Sequence, residues 1–293
     1  MNSPCGLPTK WRETINCGCK INLRLKVVGK RPDKLHELSS CFVFLEHPGD
    51  ILTVEQPGGN GLELSCPGHP ELEGDKNLLW RAAELYAAEA GIEPSWRIIL
   101  EKNVPIAAGL GGGSAGAGAL LALLNGKYRR LTDEQLSLLA FRLGADVPFF
   151  LKRQTAWVSG AGEKMEFLTA VPPLPEVMIV NPGFPVSARW AYSELVPELI
   201  GADDPEEKRS FLAGQADWRS FCRNDLAPAL FRKFPLLELL RDELYRQGAL
   251  AVQVSGSGSS LFALFDGGSE TVAMELKRDF PAELKIFTGS RTF

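Results

Sequence analysis

No stretch of the 293-residue chain is apolar over the length of a membrane-spanning helix, so no membrane partner is expected. Met1 to Trp11 is polar and lacks the apolar core of an export signal, which makes the cytoplasm the expected compartment. There is no basic tract and the net charge is −4, so nucleic acid is not expected as a partner. Anionic small molecules stay compatible with that charge, because a cleft can be locally positive. Cysteine is sparse: Cys5, Cys17, Cys19, Cys41, Cys66 and Cys222. A disulfide framework is foreign to a chain of this size without an export signal. Cys17-Gly18-Cys19 is not a zinc spacing, and no second pair or histidine partner follows it. The thiols are therefore expected to be reduced and structural. Internal repeats and low-complexity tracts are missing too.

What is present is glycine, and its densest run is Pro105 to Gly118. Ahead of it Trp96, Ile98 and Leu100 alternate along a segment that reads as a strand. Behind it Ala119 to Leu124 reads as a buried helix, stopped by Asn125-Gly126. A glycine-rich turn feeding a helix N-terminus suits a polyphosphate: the first N–H groups lack partners and the dipole end is positive. Gly111 to Gly116 also fits the dinucleotide pattern G-x-G-x-x-G, but no acidic residue closes a second strand about 20 residues on. Instead Thr132 and Gln135 predict a capping box opening another helix. A Walker loop fails because Tyr128 follows Gly126-Lys127. A tight turn packed against a sheet, with no ligand, stays open on this run alone.

The length suits two domains, with the boundary placed near residue 155 as 1–155 and 156–293. Lys20 to Val28 alternates and predicts a strand whose basic face is solvated, the reading preferred on this segment alone, or turns Lys20 and Asn22 at its start into a cleft. A turn at 29–34 and a strand from His36 to Leu45 complete a hairpin. Two short strands follow, punctuated by Gly49-Asp50 and by Pro57 to Gly61. Helices are predicted over 78–90, capped by Asn77 and ended by Gly91, and over 133–143, ended by Gly144. Asp146 stands before an apolar run, with Pro148 holding Val147 extended. It either caps something or does chemistry. Beyond a strand at 155–159, strands are expected at 177–180, 251–254, 261–265 and 283–287. Helices are expected at 187–195, 218–231, 236–247 and before the last strand. Residues 201–208 read as a mobile acidic loop. The class is α+β.

Three segments together carry a resemblance. Lys20-Ile21-Asn22-Leu23, Pro105 to Ala117 and Val254 to Phe262 are similar, in order and spacing, to the three motifs of the GHMP kinases. Arg31 to Leu38, Leu143 to Phe150, Gly160 to Glu163, Asn181-Pro182 with Val186-Ser187, and Asn224 to Leu226 resemble the branch that acts on a cytidine-diphosphate methylerythritol. The resemblance implies a two-domain fold: an N-terminal domain like domain 2 of ribosomal protein S5 and a ferredoxin-like C-terminal domain, with ATP and substrate meeting in a cleft. It implies transfer of the γ-phosphoryl of ATP, with Mg²⁺, to the C2 hydroxyl of that small-molecule substrate by a monomer or homodimer.

Carried over residue by residue, Asp146 matches the base and Lys20 its cationic partner. Pro105, Ala108, Gly109, Leu110, Gly111, Gly112, Gly113, Ser114 and Ala115 form the nucleotide loop, with Ser114 able to reach Mg²⁺. Asn22 would hold substrate, His36 would read the cytosine edge and Tyr192 would stack on the base. Gly256, Ser257 and Gly258 would line the cleft. The sequence departs from the pattern at Ala115 and Gly116, where the family has a serine and a polar residue. It departs again at Leu35, which replaces an aromatic worth about 1–3 kcal/mol per stacked base, and at Gly18-Cys19, which stands for Ala-Pro.

Overall fold

Local capping chemistry fixes the ends of several elements in the computed structural model, which describes residues 10–33, 35–57, 61–280 and 283–290. Cys5, Lys34 and the Gly58 to Asn60 part of the expected turn lie outside them. In chain order the first half holds β1 (Trp11–Asn16), β2 (Cys19–Lys30), β3 (His36–Leu45), β4 (Ile51–Gln56), β5 (Gly61–Ser65), α1 (Leu78–Ala90), β6 (Ser95–Glu101), α2 (Gly112–Tyr128), α3 (Asp133–Leu143) and α4 (Val147–Lys152). The second half holds β7 (Ala156–Gly160), β8 (Lys164–Phe167), β9 (Glu176–Asn181), α5 (Ala188–Ser193), α6 (Pro205–Leu212), α7 (Trp218–Phe221), α8 (Ala227–Lys233), α9 (Pro235–Arg246), β10 (Ala251–Val254), β11 (Leu261–Phe265), α10 (Ser269–Asp279) and β12 (Lys285–Ser290). Asn77 caps α1 through the Leu79 N–H, and Gly91 ends it in the left-handed region. Thr132 and Gln135 form the expected reciprocal capping box of α3.

Two compact units form, neither continuous in the chain. The first takes the segment ending at Gly18 with Gly49–Val104 and Gly112–Arg153. Its sheet runs β1-β4-β6-β5, antiparallel except for the parallel β5–β6 pair. Trp96, Ile98, Leu79, Leu120, Leu124 and Phe149 are buried in its core.

Asn125-Gly126 does not stop α2, which runs on to Tyr128. Asn125 uses its side chain instead: Nδ2 donates to the Leu131 carbonyl and Oδ1 accepts the Leu131 N–H, both at 3.0 Å. The helix also begins earlier than expected, at Gly112, so four glycines with poor helix propensity lie in its first seven residues. At Gly118 packing explains the choice. A Cβ there would lie 2.6 Å from the Phe150 Cβ and 3.1 Å from the Val147 carbonyl. Gly118→Ala is expected to destabilise by about 1–3 kcal/mol through overpacking. Gly126→Ala, with nothing within 4 Å of its Cβ, is expected to stabilise by about 0.5–1 kcal/mol. Thermal or urea denaturation of the two variants checks the contrast.

The second unit takes Cys19–Pro48, Pro105–Gly111 and the chain from Gln154 onward. One sheet runs β2-β3-β7-β8, antiparallel throughout. The other runs β10-β11-β9-β12, again all antiparallel. Strand β9, helices, β10, β11, α10 and β12 thus follow β-α-β-β-α-β order with the first and third strands adjacent. That is the expected ferredoxin-like arrangement. Leu230, Leu240, Met178, Val254, Ala263 and Leu276 belong to its apolar core.

Strand β2 overturns the expectation of a solvated basic face. Lys20, Asn22, Arg24 and Lys26 are all buried. Arg24 is paired with Asp203 and Glu207, Lys26 Nζ donates to the Ala202 carbonyl at 2.5 Å, and Ser39 Oγ donates to Asp203 Oδ2 at 2.6 Å. A buried guanidinium needs a charge partner, and 201–208 supplies it. That segment is therefore docked: Asp204 caps α6 through the Glu206 N–H. The expected helix at 218–231 is two helices. The chain between them turns back on β2, with Leu25 N–H donating to the Arg223 carbonyl and Asp225 N–H to that of Leu25.

Candidate active site

Lys20 and Asn22 open β2, the strand of the hairpin expected to carry them. The Lys20 N–H donates to the Leu110 carbonyl at 2.9 Å. Its Nζ donates to Asn22 Oδ1 at 2.5 Å and sits 4.8 Å from the centroid of the Phe42 ring. Asn22 Nδ2 donates to Ser40 Oγ at 3.1 Å, which fixes the amide orientation. The Asn22 N–H donates to Ser255 Oγ at 3.3 Å, and that hydroxyl donates to the Gly109 carbonyl at 3.0 Å.

The two glycine-rich turns of this unit meet there. A Cβ on Gly109, whose φ is +79°, would fall 2.0 Å from the Ser255 carbonyl. A Cβ on Gly256, at φ +54°, would fall 3.2 Å from Asn22 Oδ1 and 3.3 Å from Lys20 Nζ. These two glycines exist because backbone approaches backbone and the lysine. Asn224 holds the second turn, its Nδ2 donating to the carbonyls of Val254 and Gly256 at 2.8 and 2.7 Å. Gly258 is buried at φ +74° and Ser257 half-buried. Carbonyls of the first turn are directed into the unit: Ala107 accepts from the Val186 N–H and Ala108 from the Ser260 N–H, both at 3.1 Å.

Gly112, Gly113 and Ser114 begin α2 in the first unit, so their N–H groups have no intrahelical acceptor and stand at the positive end of the dipole. Gly112 is tight against Val104, and Lys102 Nζ would be 3.4 Å from its Cβ. Lys102 is paired with buried Asp50 at 2.5 Å, and Asp50 also accepts the N–H groups of Asn103 and Val104 at 2.8 Å. Asp146, in the same unit, is half-buried at the start of α4. Its side chain makes no capping bond to that helix. Val147 is helical and not extended. Pro148 lies in the first turn, where a missing N–H costs nothing.

His36 and Tyr192 stack, with centroids 5.4 Å apart and planes 20° apart, at a cavity of about 870 Å³ in the second unit. Burial, with Lys30 beside it, holds the His36 pKa below its ordinary value, so the ring is neutral at pH 7. Leu35 lines the same cavity and is 53% exposed. The five described cysteines are buried and outside any disulfide, as expected of structural thiols; burial pushes those of Cys17 and Cys41 up to about 12. No described helix is long and apolar enough to cross a membrane.

Comparison with known proteins identifies the assembly. The family description "GHMP kinases N terminal domain" matches residues 77–154, and "GHMP kinases C terminal" matches 212–282. A 4-diphosphocytidyl-2-C-methyl-D-erythritol kinase of Geobacter metallireducens is 35% identical over 258 residues, covering 88% of this chain and 90% of the relative. The chain belongs to the GHMP kinases, in the 4-diphosphocytidyl-2-C-methyl-D-erythritol kinase family. Another member, from Nitratidesulfovibrio vulgaris, is 38% identical over 264 residues, covering 86% of this chain and 90% of its own. The crystal structure of a 4-(cytidine 5'-diphospho)-2C-methyl-D-erythritol kinase superposes with a TM-score of 0.82 at 35% identity, covering 96% of this chain and all (100%) of that one. A homoserine kinase of Cytophaga hutchinsonii, 18% identical, shares the fold at a TM-score of 0.75, covering 99% of this chain and 98% of its own. The chain thus has the two-domain GHMP kinase fold.

Three residues of this GHMP kinase site were given no role from the sequence. Ser255 links the two glycine turns, Ser40 orients Asn22, and Phe42 packs on Lys20. The alternation of β3, which puts Ser40, Phe42 and Phe44 on one face, was the signal that could have found the last two.

Proposed function

We propose that this GHMP kinase transfers the γ-phosphoryl group of ATP to the C2 hydroxyl of 4-diphosphocytidyl-2-C-methyl-D-erythritol, in the cytoplasm. What carries the reading is the buried Lys20 ammonium, fixed beside both glycine turns in a chain 35% identical to enzymes of that name. The hydroxyl is tertiary and weakly acidic, so it needs placement, a proton acceptor and charge neutralisation. Asp146 takes the hydroxyl proton. The freed oxygen forms a bond to the γ-phosphorus as the bond to the β,γ-bridging oxygen breaks, and ADP leaves. Lys20 offsets charge on the transferring oxygens. Asn22 orients the hydroxyl-bearing end of the substrate, and Gly256 to Gly258 offer a side-chain-free surface beside it.

The nucleotide loop fits a triphosphate. Gly111 is at φ +71°, a Cβ on Gly112 would be tight against the Val104 side chain at 3.0 Å, and the N–H groups of Gly112 to Ser114 await acceptors. Pro105, Ala108, Gly109 and Leu110 shape the turn that leads into those donors, and Ala115 lets the helix begin without a bulky side chain. The Ser114 hydroxyl would be a ligand of Mg²⁺, which when bound neutralises phosphate charge. His36, neutral, reads the cytosine edge and Tyr192 stacks on its face. The matched spans 77–154 and 212–282 lie on either side of residue 155 and support 1–155 and 156–293 as the nucleotide-binding and C-terminal domains in sequence, while Cys19–Pro48 and Pro105–Gly111 pack with the second unit.

Leu35 favours one second reading, a GHMP kinase of another small alcohol, because it leaves a single aromatic face for a base. Purified protein with ATP and Mg²⁺ would be offered the cytidine compound, mevalonate, homoserine and sugars. Turnover of the cytidine compound at a kcat/KM at least 10²-fold above the others is the expected outcome. Equal or absent turnover of it defeats the assignment.

A further inference from the structure

The cavity at His36 and Tyr192 is lined by two cations, Lys30 and Arg189, and by no carboxylate among the described residues. Neither cation forms an ion pair or hydrogen bond with a described residue. Elsewhere in this unit the buried or half-buried arginines are neutralised: Arg24 by Asp203 and Glu207, Arg31 by Asp33, Glu37 and Glu163, and Arg223 by Asp225. Two cations lining one concave surface favour an anion there. Their placement also says which anion. Arg189 precedes Tyr192 by three residues on α5, which puts the two on one helix face. Lys30 lies opposite His36 in the register of the hairpin. Each ring therefore has a long cationic side chain next to it.

Resting on the nucleobase reading of this cavity, we propose that Arg189, assisted by Lys30, grips the diphosphate of the substrate and supplies binding affinity in place of the stacking that the missing aromatic at Leu35 would otherwise give. A base on Tyr192 carries its diphosphate only one ribose away, within reach of a guanidinium one helical turn along. Arginine suits that task, since its planar fork matches two phosphate oxygens at once. The cavity then reads its ligand by charge more than by stacking. A neutral nucleoside binds weakly and a nucleoside diphosphate tightly.

The test uses the full chain, with ADP present to fill the nucleotide loop, and measures binding of CDP and of cytidine by calorimetry. Arg189→Gln is expected to weaken CDP about tenfold and cytidine less than twofold, and Arg189→Lys to recover part of the loss. Adding Lys30→Gln is expected to weaken CDP further. The wild-type affinity for CDP, but not for cytidine, is expected to fall with salt. Both substitutions are at the surface, and unchanged melting of the variants confirms folding. CDP affinity unchanged in Arg189→Gln overturns the proposal, and so does an equal loss for CDP and cytidine. If wild type binds neither compound, the nucleobase reading fails as well. If it binds both and the variants match it, only the role of Arg189 fails.

Discussion

Asp146→Asn is expected to lower kcat by about 10²–10⁴-fold, the range for losing a general base, while ATP still binds with near wild-type affinity. The substitution keeps shape and volume and removes the negative charge and with it the ability to accept the hydroxyl proton. Asp146 makes no capping bond to α4, so the amide should not unseat that helix. A structural carboxylate would behave differently: its loss would move the melting temperature and leave kcat alone. Single-turnover assays and a melting curve separate the two. An asparagine variant of undiminished activity removes Asp146 from its proposed role. Asp146→Glu adds a useful arm, because phosphoryl transfer tolerates little displacement of the base. It is expected to keep the charge yet recover only a small part of the rate.

The sequence showed most of what is decided within a few residues and little of what is decided across the chain. Asn77, Gly91, Thr132 and Gln135 announce helix ends because capping is a local matter of unpaired N–H and C=O groups. The hairpin was legible from alternation and from its turn. The burial of Arg24 was not, since its partners Asp203 and Glu207 come some 180 residues later. For the same reason the acidic segment 201–208 read as a loop: its charges look solvated until the guanidinium beneath them is known. Gly112 to Gly118 read as a turn because helix propensity is poor there, and only Phe150 against Gly118 shows why glycine is tolerated. At the site, Lys20 alone looked like one charge on an amphipathic strand. Its meaning depended on Gly256 and Leu110, both far along the chain, and Arg189 carried no signal until the cavity around Tyr192 was seen.

Lys20→Met tests the other half of the chemistry and is expected to reduce kcat by about 10²–10³-fold, as for loss of one preorganised charge donor. Methionine fills the space beside Phe42 without a charge, so the loss reads the ammonium and not a cavity. Asn22 Oδ1 loses a donor at 2.5 Å, and an unsatisfied buried acceptor costs about 1–3 kcal/mol. Some destabilisation is therefore expected alongside the loss of rate. Asn22→Ala distinguishes the two effects: it also breaks that hydrogen bond but keeps the cation. If Lys20 acts on the phosphoryl group, the methionine variant loses far more kcat than the Asn22 variant. If Lys20 only orders the start of β2, the two variants lose similar amounts. Lys20→Arg is not expected to rescue. The Cβ position of Gly256 is already 3.3 Å from Nζ, and a guanidinium is broader than an ammonium. A change confined to KM in Lys20→Met would place the lysine in substrate binding and take it out of the transfer step.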